Sequence, residues 1–335
     1  MSPCPCQARN IPLTFDAEAR ERKHVLLTVD VEDWFQVENL RPWNSPRTWH
    51  QKELRVEEST IRVLDLLDEL ALCLPSKALG GQKALRATFF ILGWIARRCP
   101  GIVKEIHSRG HEIASHGESH LLCSEMRADE LYQDLSHSKA YLEDLIGERV
   151  VGYRAPSFSV TDVALEQIQK AGYGYDSSFN SFAFHHRYGK VELNTGVNHS
   201  GIAVPVRNGL YELPIGNLSI AGKTAPWGGG GYFRILPSAL FAWGVKRILS
   251  ARGAYVFYMH PWEFDPWQPR VREVPWHLGF RHYVNLENTG EKLSRFVQAL
   301  AQHDYVSCSD YLSLKTGSHD MGSHYEAHHS NSLLQ

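Results

Sequence analysis

Two histidines four residues apart, His116 and His120, could hold one divalent cation between their imidazole rings. They follow the short apolar segment 113–115, which has the length and composition of a buried strand. The spacing alone is a weak indication, because the chain contains 18 histidines and has the same spacing at His107/His111 and His324/His328. Only the His116/His120 pair is accompanied by the other residues that a metal-dependent active site requires.

Those other residues follow apolar runs elsewhere in the chain. The runs end on Asp30 (with Glu32 and Asp33 directly after it), on Arg154 and on His260. Polar side chains at the carboxyl ends of buried strands are how a β/α barrel builds its active-site face. We therefore expect these side chains to lie close to the histidine pair.

The segments around these residues resemble the NodB-like polysaccharide deacetylases, carbohydrate esterase family 4. Within that family, the sequence is most similar to the branch associated with exosortase A (PEP-CTERM) exopolysaccharide loci. The resemblance is carried, in the family's order, by residues 28–35, 87–90, 115–120, 152–158 and 260–265. Each segment alone is weak, but as a set they are specific and extend over residues 24–312.

The resemblance implies a hydrolase that removes acetyl groups from the nitrogen of an N-acetylated polysaccharide or its precursor in exopolysaccharide biosynthesis. It implies one divalent metal ion with His116 and His120 as ligands, zinc being the first expectation and cobalt, manganese or nickel the alternatives. Amide hydrolysis needs a metal that activates water and polarises the carbonyl, a base for the water proton and an acid for the leaving amine.

The third metal ligand is open between Glu32 and Asp33, because Val31 stands where many members of the family have a second aspartate. Relatives spaced Asp-x-Asp use the later acid, which favours Glu32. Strand alternation also turns Asp30 and Glu32 to the same side. Asp33 would serve if the backbone had already turned at that point.

The resemblance also implies the groups that move protons. Asp30 matches the catalytic base, and Arg154 matches the arginine that orients the base carboxylate. His260 matches the general acid that protonates the leaving amine. Its acidic partner is open between Glu263 and Asp265.

Three further residues are candidates for substrate binding. Ser157 stands where many relatives have a tyrosine whose backbone N–H donates to the oxyanion, a role that the backbone can retain. The glycine-rich segment 226–232 lacks the Lys-Ser/Thr of a phosphate loop. We expect it to form a mobile loop over the site, in which Trp227 and Tyr232 either stack on a sugar or pack.

Composition narrows the class of protein. A formal net charge of −2 gives no electrostatic reason to bind nucleic acid. No apolar run is long enough to span a membrane, although an amphipathic segment at 236–250 allows peripheral membrane contact as an alternative to core packing. Residues 1–23 are polar and show no signal peptide, so we expect a cytoplasmic protein with reduced cysteines. The oligomeric state is not indicated.

Short apolar segments alternate with helical patterns, which predicts βα units around a parallel sheet. Composition does not distinguish a closed barrel from an open sheet, but the resemblance implies an α/β fold, a distorted (β/α)7 barrel in a single domain with an irregular C-terminal extension. The expected divisions are a polar tail (1–23), the barrel (24–260), an extension packed on it (261–315) and a disordered, histidine-rich tail (316–335).

Two other functions remain open. One is hydrolysis of a small or cyclic amide on the same fold, since the first motif, with its acids at Glu32 and Asp33, resembles that subgroup. The other is a catalytically inactive glycan-binding protein. The presence of Asp30, Arg154 and His260 argues against the latter, because binding alone requires none of them.

Overall fold

A computed structural model describes residues 23–75, 78, 85–182, 191 and 201–317 of the chain. The predicted tails at 1–23 and 316–335 lie outside the described residues, apart from Lys23, Thr316 and Gly317.

The described residues form α-helices and β-strands in alternation. The strands are β1 His24–Val31, β2 Thr88–Ile91, β3 Glu112–Ser115, β4 Gly152–Tyr153, β5 Tyr175–Asp176, β6 Val204–Arg207, β7 Leu210–Glu212, β8 Leu218–Ile220, β9 Lys223–Ala225, β10 Ala254–Met259 and β11 Asp304–Tyr305. The helices are α1 Val56–Cys73, α2 Gly93–Arg98, α3 Pro100–Ser108, α4 Ala128–Ile146, α5 Asp162–Lys170, α6 Gly230–Ile235, α7 Ser238–Arg252, α8 Trp276–Tyr283, α9 Thr289–Ala299 and α10 Cys308–Thr316.

Parallel strands form one curled sheet in the order β10-β1-β2-β3-β4-β5-β7, and β6 pairs antiparallel with the outer side of β7. The gap between β7 and β10 is crossed by the backbone after β7. There the Ile215 N–H donates to the Phe179 carbonyl (3.0 Å) and the Gly216 N–H to the Val256 carbonyl (3.1 Å). The predicted α/β fold is confirmed, as a strongly curled sheet whose closure is irregular.

The central strand β1 is buried from Val25 to Val31, because its neighbours and the surrounding helices cover both of its faces. Such a strand reads as a near-continuous apolar run, which is why the sequence pattern was visible. The helices bury one stripe each; α1, for example, packs Val63, Leu67 and Leu70 inward. The carboxyl ends of β1, β3, β4 and β10 consequently meet at one end of the sheet.

The C-terminal extension is more regular than the sequence indicated. Its first part, residues 261–283 of the extension that was predicted to be irregular, contains a 3-10 helix at Pro261–Phe264 and then α8. Further along, β11 pairs with the start of β1, so that His24 lies beside Asp304. The extension therefore contributes a strand to the same sheet.

Helix α7 covers the segment that allowed either core packing or membrane contact. It buries Phe241, Val245 and Ile248 in the core and leaves Trp243 partly exposed. None of the helices formed by the described residues has the length and apolar character needed to cross a bilayer.

Two carboxyl groups at the ends of neighbouring strands, Asp176 on β5 and Glu212 on β7, are buried side by side. Ser178 Oγ donates to Asp176 Oδ1 (2.5 Å), and the Phe179 N–H donates to Glu212 Oε1 (2.9 Å). The second oxygen of Asp176, Oδ2, is buried and has no donor among the described residues. A proton carried by the neighbouring carboxyl group of Glu212 would supply the hydrogen bond that Oδ2 lacks. Burial, followed by the charge of Asp176, raises the pKa of Glu212 well above its ordinary value.

The substitution Glu212→Gln tests this shared proton. A raised carboxyl pKa gives the folded state full stability below the ordinary glutamate pKa, and that stability is lost as the pH rises through the raised pKa. Glutamine keeps an N–H donor and does not titrate. We expect the variant to unfold at a higher temperature than the wild type at pH 8, by thermal circular dichroism, with the difference shrinking towards pH 5.

The exposed Glu148 offers a matched control, since Glu148→Gln removes a carboxylate that is open to solvent. It should show no difference that depends on pH in this way. Equal or lower unfolding temperatures for Glu212→Gln across the whole range would contradict a proton shared between Asp176 and Glu212.

Candidate active site

A cleft lies at the carboxyl ends of the strands, where the polar residues that follow β1, β3, β4 and β10 converge. Its walls include Asp30, Glu32, His120, Ser157, His260 and Trp262. This arrangement agrees with the expectation from the sequence that these strand ends lie close together.

The two histidines are positioned by a turn that begins where β3 ends. The His116 N–H donates to the Ile91 carbonyl of β2 (2.8 Å), which holds the start of the turn on the sheet. Gly117 then adopts φ 76°, and a Cβ there would lie 2.8 Å from the carboxylate of Asp134. Glycine therefore lets the chain turn tightly enough to bring His120, itself at φ 54°, back towards His116.

Glu32, His116 and His120 form a cluster that could hold a cation. Oε1 of Glu32 lies 3.0 Å from Nε2 of His116 and 2.9 Å from Nε2 of His120, and all three side chains are buried. Their ligand atoms lie within 4.8 Å of one another. Burial alone would raise the pKa of Glu32, but the two imidazoles hold it well below its ordinary value.

The protonation of His116 tests whether these residues fit a metal ion. The Arg154 carbonyl can only accept, so Nδ1 of His116, 2.8 Å away, must carry a proton. In the neutral ring, Nε2 then presents a lone pair to a carboxylate oxygen that also presents lone pairs. These two acceptors repel each other unless a cation or a second proton lies between them, and two imidazoles with one carboxylate suit zinc.

Asp33 is not part of this cluster, so its prediction as an alternative ligand is wrong. Its Oδ2 accepts from the N–H groups of Arg55 (2.8 Å) and Val56 (3.0 Å), and its Oδ1 accepts from Trp34 (2.8 Å). The backbone has turned after β1, and the carboxylate caps the amino end of α1, where unpaired N–H groups favour a negative charge.

Asp30 is held by Arg154 in a buried ion pair, with Nη1 of the arginine 2.6 Å from Oδ1. The rest of the guanidinium is equally constrained. Nη1 also donates to Thr28 Oγ1 (2.7 Å), and Nε and Nη2 donate to the carbonyl and hydroxyl of Ser177 (both 2.9 Å). The Phe90 ring lies 4.1 Å from the guanidinium carbon. One oxygen of Asp30, Oδ2, remains directed towards His260 at 3.9 Å.

His260 takes Glu263 as its acidic partner. Nδ1 of His260 lies 2.9 Å from Oε1 of Glu263, whose Oε2 accepts from Nε of the buried Arg234 (2.8 Å). Asp265, the other candidate, instead pairs with Arg55 and Arg62. Burial lowers the pKa of His260, but the hydrogen bond to Glu263 and the surrounding carboxylates outweigh it and raise that pKa to about 9.

Ser157 lines the cleft, on the turn that follows β4. Ser157 and Phe158 both have left-handed backbone angles, with φ of 52° and 59°. Such angles cost free energy in residues other than glycine and cluster at functional sites. The predicted backbone donor therefore lies in a strained turn at the edge of the cleft.

The two aromatic residues predicted to stack on a sugar do not line the cleft. Trp227 is buried: it stacks on Phe241 with ring centres 5.8 Å apart, and its Nε1 donates to the Phe241 carbonyl (2.9 Å). The packing alternative was the correct one for Trp227. Tyr232 lies on α6 with its ring 5.3 Å from the guanidinium of Arg281, and it is Arg281 that reaches the cleft.

Two further residues of the site, Arg234 and Arg281, were not predicted from the sequence. Arg234 is fully buried on α6 and binds Glu263 together with the carbonyls of Arg281, His282 and Val284. No local pattern marks it, since α6 is a six-residue helix in a glycine-rich stretch. The signal that could have indicated it is indirect: a buried Glu263 requires a cation.

Comparison with known proteins divides the chain into two matched segments. Residues 81–175 match a family profile described as polysaccharide deacetylase. Residues 177–313 match a profile described as a domain of unknown function, DUF3473.

Curated relatives match over part of their lengths. A peptidoglycan-N-acetylglucosamine deacetylase of Bacillus cereus is 32% identical over 92 residues, which are 28% of this chain and 43% of that protein. A peptidoglycan deacetylase of Helicobacter pylori is 33% identical over 94 residues, which are 28% of this chain and 32% of that protein. The chain thus spans less than half of the length of the curated relatives it matches.

Among solved structures, a Mycobacterium smegmatis protein assigned as a polysaccharide deacetylase superposes with a TM-score of 0.57. The superposition covers 90% of this chain and 93% of that one, at 19% sequence identity. At this level of identity the likeness establishes the fold.

Metal content tests the cluster of Glu32, His116 and His120. We expect the purified chain, reconstituted with zinc and passed through gel filtration, to retain one equivalent at this cluster, and His116→Ala to bind zinc at least about a hundredfold more weakly. Because a metal that binds only the folded state stabilises it, a chelator should lower the unfolding temperature of the wild type.

His107 provides the matched control, because it lies on α3 outside the cluster and pairs loosely with Glu148 (3.8 Å). His107→Ala should keep the equivalent of zinc and the response to the chelator. Equal metal content in His116→Ala and His107→Ala would contradict the assignment of the ligands.

Proposed function

We propose that this chain, whose residues 81–175 match a polysaccharide deacetylase profile, hydrolyses the acetamido group of an N-acetylated glycan. The observation that carries the proposal is a carboxylate and an imidazole, Asp30 and His260, 3.9 Å apart beside a cluster that fits a divalent cation. Metal-dependent amide hydrolysis uses a base, an acid and a Lewis acid at one place; this cleft provides the first two and a cluster that would hold the third.

Glu32, His116 and His120 would hold the metal ion. When bound there, such an ion lowers the pKa of water and polarises a carbonyl oxygen. Two imidazoles and one carboxylate favour zinc, which is our proposal for its identity.

Asp30 acts as the base that takes a proton from the attacking water. Arg154 positions it: the guanidinium uses one N–H of Nη1 on Asp30 Oδ1 and leaves Oδ2 on the cleft side.

His260 acts as the acid that protonates the leaving amine. Its Nδ1 is hydrogen-bonded to Glu263, so Nε2 is the atom that faces the cleft and Asp30. With a pKa raised to about 9, the ring is protonated at neutral pH and can donate from Nε2.

The natural substrate that we propose is an N-acetylated polysaccharide or its precursor in exopolysaccharide biosynthesis. This finer assignment is supported by the resemblance of residues 24–312 to the exosortase-linked branch of the family. Peptidoglycan is a second polymer to assay, because the names of the relatives from Bacillus cereus and Helicobacter pylori specify it.

The substitution Asp30→Asn tests the base. We expect kcat on N-acetylglucosamine oligomers to fall by at least about a hundredfold, since a positioned base contributes on that scale or more. Metal content should stay at the wild-type level, because Asp30 is not a ligand. Asp144→Asn, an exposed aspartate on α4, is the matched control and should retain full activity.

Two outcomes would contradict this proposal. Unchanged turnover in Asp30→Asn would remove Asp30 from the chemistry. Hydrolysis of a small cyclic amide by the wild type, with no release of acetate from N-acetylhexosamine oligomers, would indicate the small-amide function instead.

The substitution Glu263→Gln tests the acid through the pH profile. His260 is active as an acid while protonated, so activity falls on the alkaline side as the pH passes its pKa. Removing the carboxylate that raises this pKa should shift the alkaline limb of kcat to lower pH. The measurement is kcat against pH from 6 to 10, with the unfolding temperature recorded at each pH.

Asp265→Asn is the matched control, because this neighbouring carboxylate binds Arg55 and Arg62 and not His260. It should leave the alkaline limb where it is in the wild type. An alkaline limb that stays fixed in a folded Glu263→Gln protein would show that His260 is not the group titrating there.

A further inference from the structure

His282 on α8 is a buried histidine in the wall of the cleft that has no role in the proposed reaction. Its ring stacks on Trp262 with ring centres 4.3 Å apart, and Trp262 in turn stacks on His260 at 5.3 Å. Its backbone carbonyl accepts from Nη1 of the buried Arg234 (2.9 Å). His282 is therefore held firmly, one ring away from the proposed acid.

The tautomer of His282 follows from its contact with Gln268. The side-chain nitrogen of Gln268 donates to the carbonyls of Trp262 (2.7 Å) and Asp265 (2.9 Å), which leaves Oε1 as the atom that faces His282. This oxygen can only accept, so Nε2 of His282, 2.8 Å away, carries a proton. In the neutral ring, Nδ1 then presents a lone pair.

The ring of His282 stays neutral at the pH at which His260 is protonated. Burial, followed by the charge of Arg234, lowers the pKa of His282 to about 3. The pKa of His260 moves in the opposite direction, because its hydrogen bond to Glu263 outweighs burial. The cleft consequently contains one imidazole that can donate and a second that can only accept through its open nitrogen.

Nδ1 of His282 is the nitrogen that remains open. No group of the described residues donates to it, and protein does not enclose it, so it is accessible from the cleft that His282 lines. A phenylalanine could stack on Trp262 in the same way, so stacking alone does not account for an imidazole here. The hydrogen-bond partner of Nδ1 has to come from the contents of the cleft.

We propose that Nδ1 of His282 accepts a hydrogen bond from a hydroxyl group of the glycan and thereby selects the sugar that is deacetylated. This inference rests on the proposed function. Hydroxyl groups are the donors that surround the acetamido group on a hexosamine ring. A site built to accept from a hydroxyl rejects an analogue that lacks it, because the polar group of the protein is then left without a partner.

A series of N-acetylglucosamine disaccharides, each lacking one hydroxyl group, tests this assignment. We would measure kcat/KM for the metal-loaded wild type and for His282→Phe, which keeps a ring on Trp262 and removes Nδ1. The wild type should hydrolyse at least one member roughly tenfold less efficiently than the parent disaccharide. In His282→Phe that difference should disappear, because the parent loses the same hydrogen bond.

His277→Phe is the matched control, because this exposed histidine of the same helix does not line the cleft. It should discriminate within the series as the wild type does. The alkaline limb of kcat in His282→Phe should stay at the wild-type pH, whereas a role in holding the stack on His260 would displace it. Equal losses of kcat/KM for every member in His282→Phe, or a wild type that hydrolyses all members as well as the parent, would overturn the inference.

Equilibrium binding separates failure of this inference from failure of the proposed function. In the Asp30→Asn protein, calorimetry should show roughly tenfold weaker binding of one deoxy disaccharide than of the parent, and the difference should vanish when His282→Phe is added. That result would support the hydrogen bond even if the wild type released no acetate. Release of acetate from every member, with the same relative rates in the wild type and His282→Phe, would support the function and overturn the hydrogen bond.

Discussion

The buried residue Arg154 positions both halves of the candidate active site. Its guanidinium holds Asp30 (2.6 Å), while its backbone carbonyl accepts a hydrogen bond from Nδ1–H of His116 (2.8 Å). One residue at the end of β4 therefore orients the proposed base and sets the tautomer of a proposed metal ligand. Removing one partner of a buried ion pair costs about 3–5 kcal/mol. The pairing of β4 with β3, which places Tyr153 beside Ser115, positions the next residue, Arg154. Both roles of Arg154 therefore depend on this register.

Charge balance in the cleft favours Glu32 over Asp30 and Glu263 as the carboxylate that would hold a cation. Asp30 is neutralised by Arg154, and Glu263 by Arg234 (2.8 Å). Glu32 contacts two imidazoles, which are neutral in the form that ligates metal. An uncompensated buried carboxylate is costly, so Glu32 at this depth requires positive charge beside it, either a proton on an imidazole or a bound cation. A divalent ion supplies that charge and uses the lone pairs that the imidazoles present.

Local pattern predicted which strand ends carry chemistry, but partners distant in sequence decided the details. Asp30 and Glu32 both line the cleft, as alternation predicts, but β1 ends at Val31 and alternation does not extend to Asp33, which turns away to cap a helix that starts 23 residues later. For His260, both Glu263 and Asp265 follow within five residues, so sequence distance did not decide between them. Arg55, 210 positions away, excludes Asp265, because it already holds that carboxylate. Sequence periodicity indicates which face of an element is buried, but it does not indicate which distant residue pairs with a side chain on that element.

Neither matched segment contains a complete site. Residues 81–175 supply the two histidines and Arg154, whereas residues 177–313 supply His260 with its partners. The base and the carboxylate ligand come from β1 and the residue after it, which precede both segments. Strand β1 pairs with β2 on one side and β10 on the other, with Val29 beside both Phe89 and Met259. The distance between the proposed base and acid is therefore set by the register of β1 against β10. The region described as a domain of unknown function therefore contributes the proposed acid, His260, and its partners Glu263 and Arg234 to the candidate site.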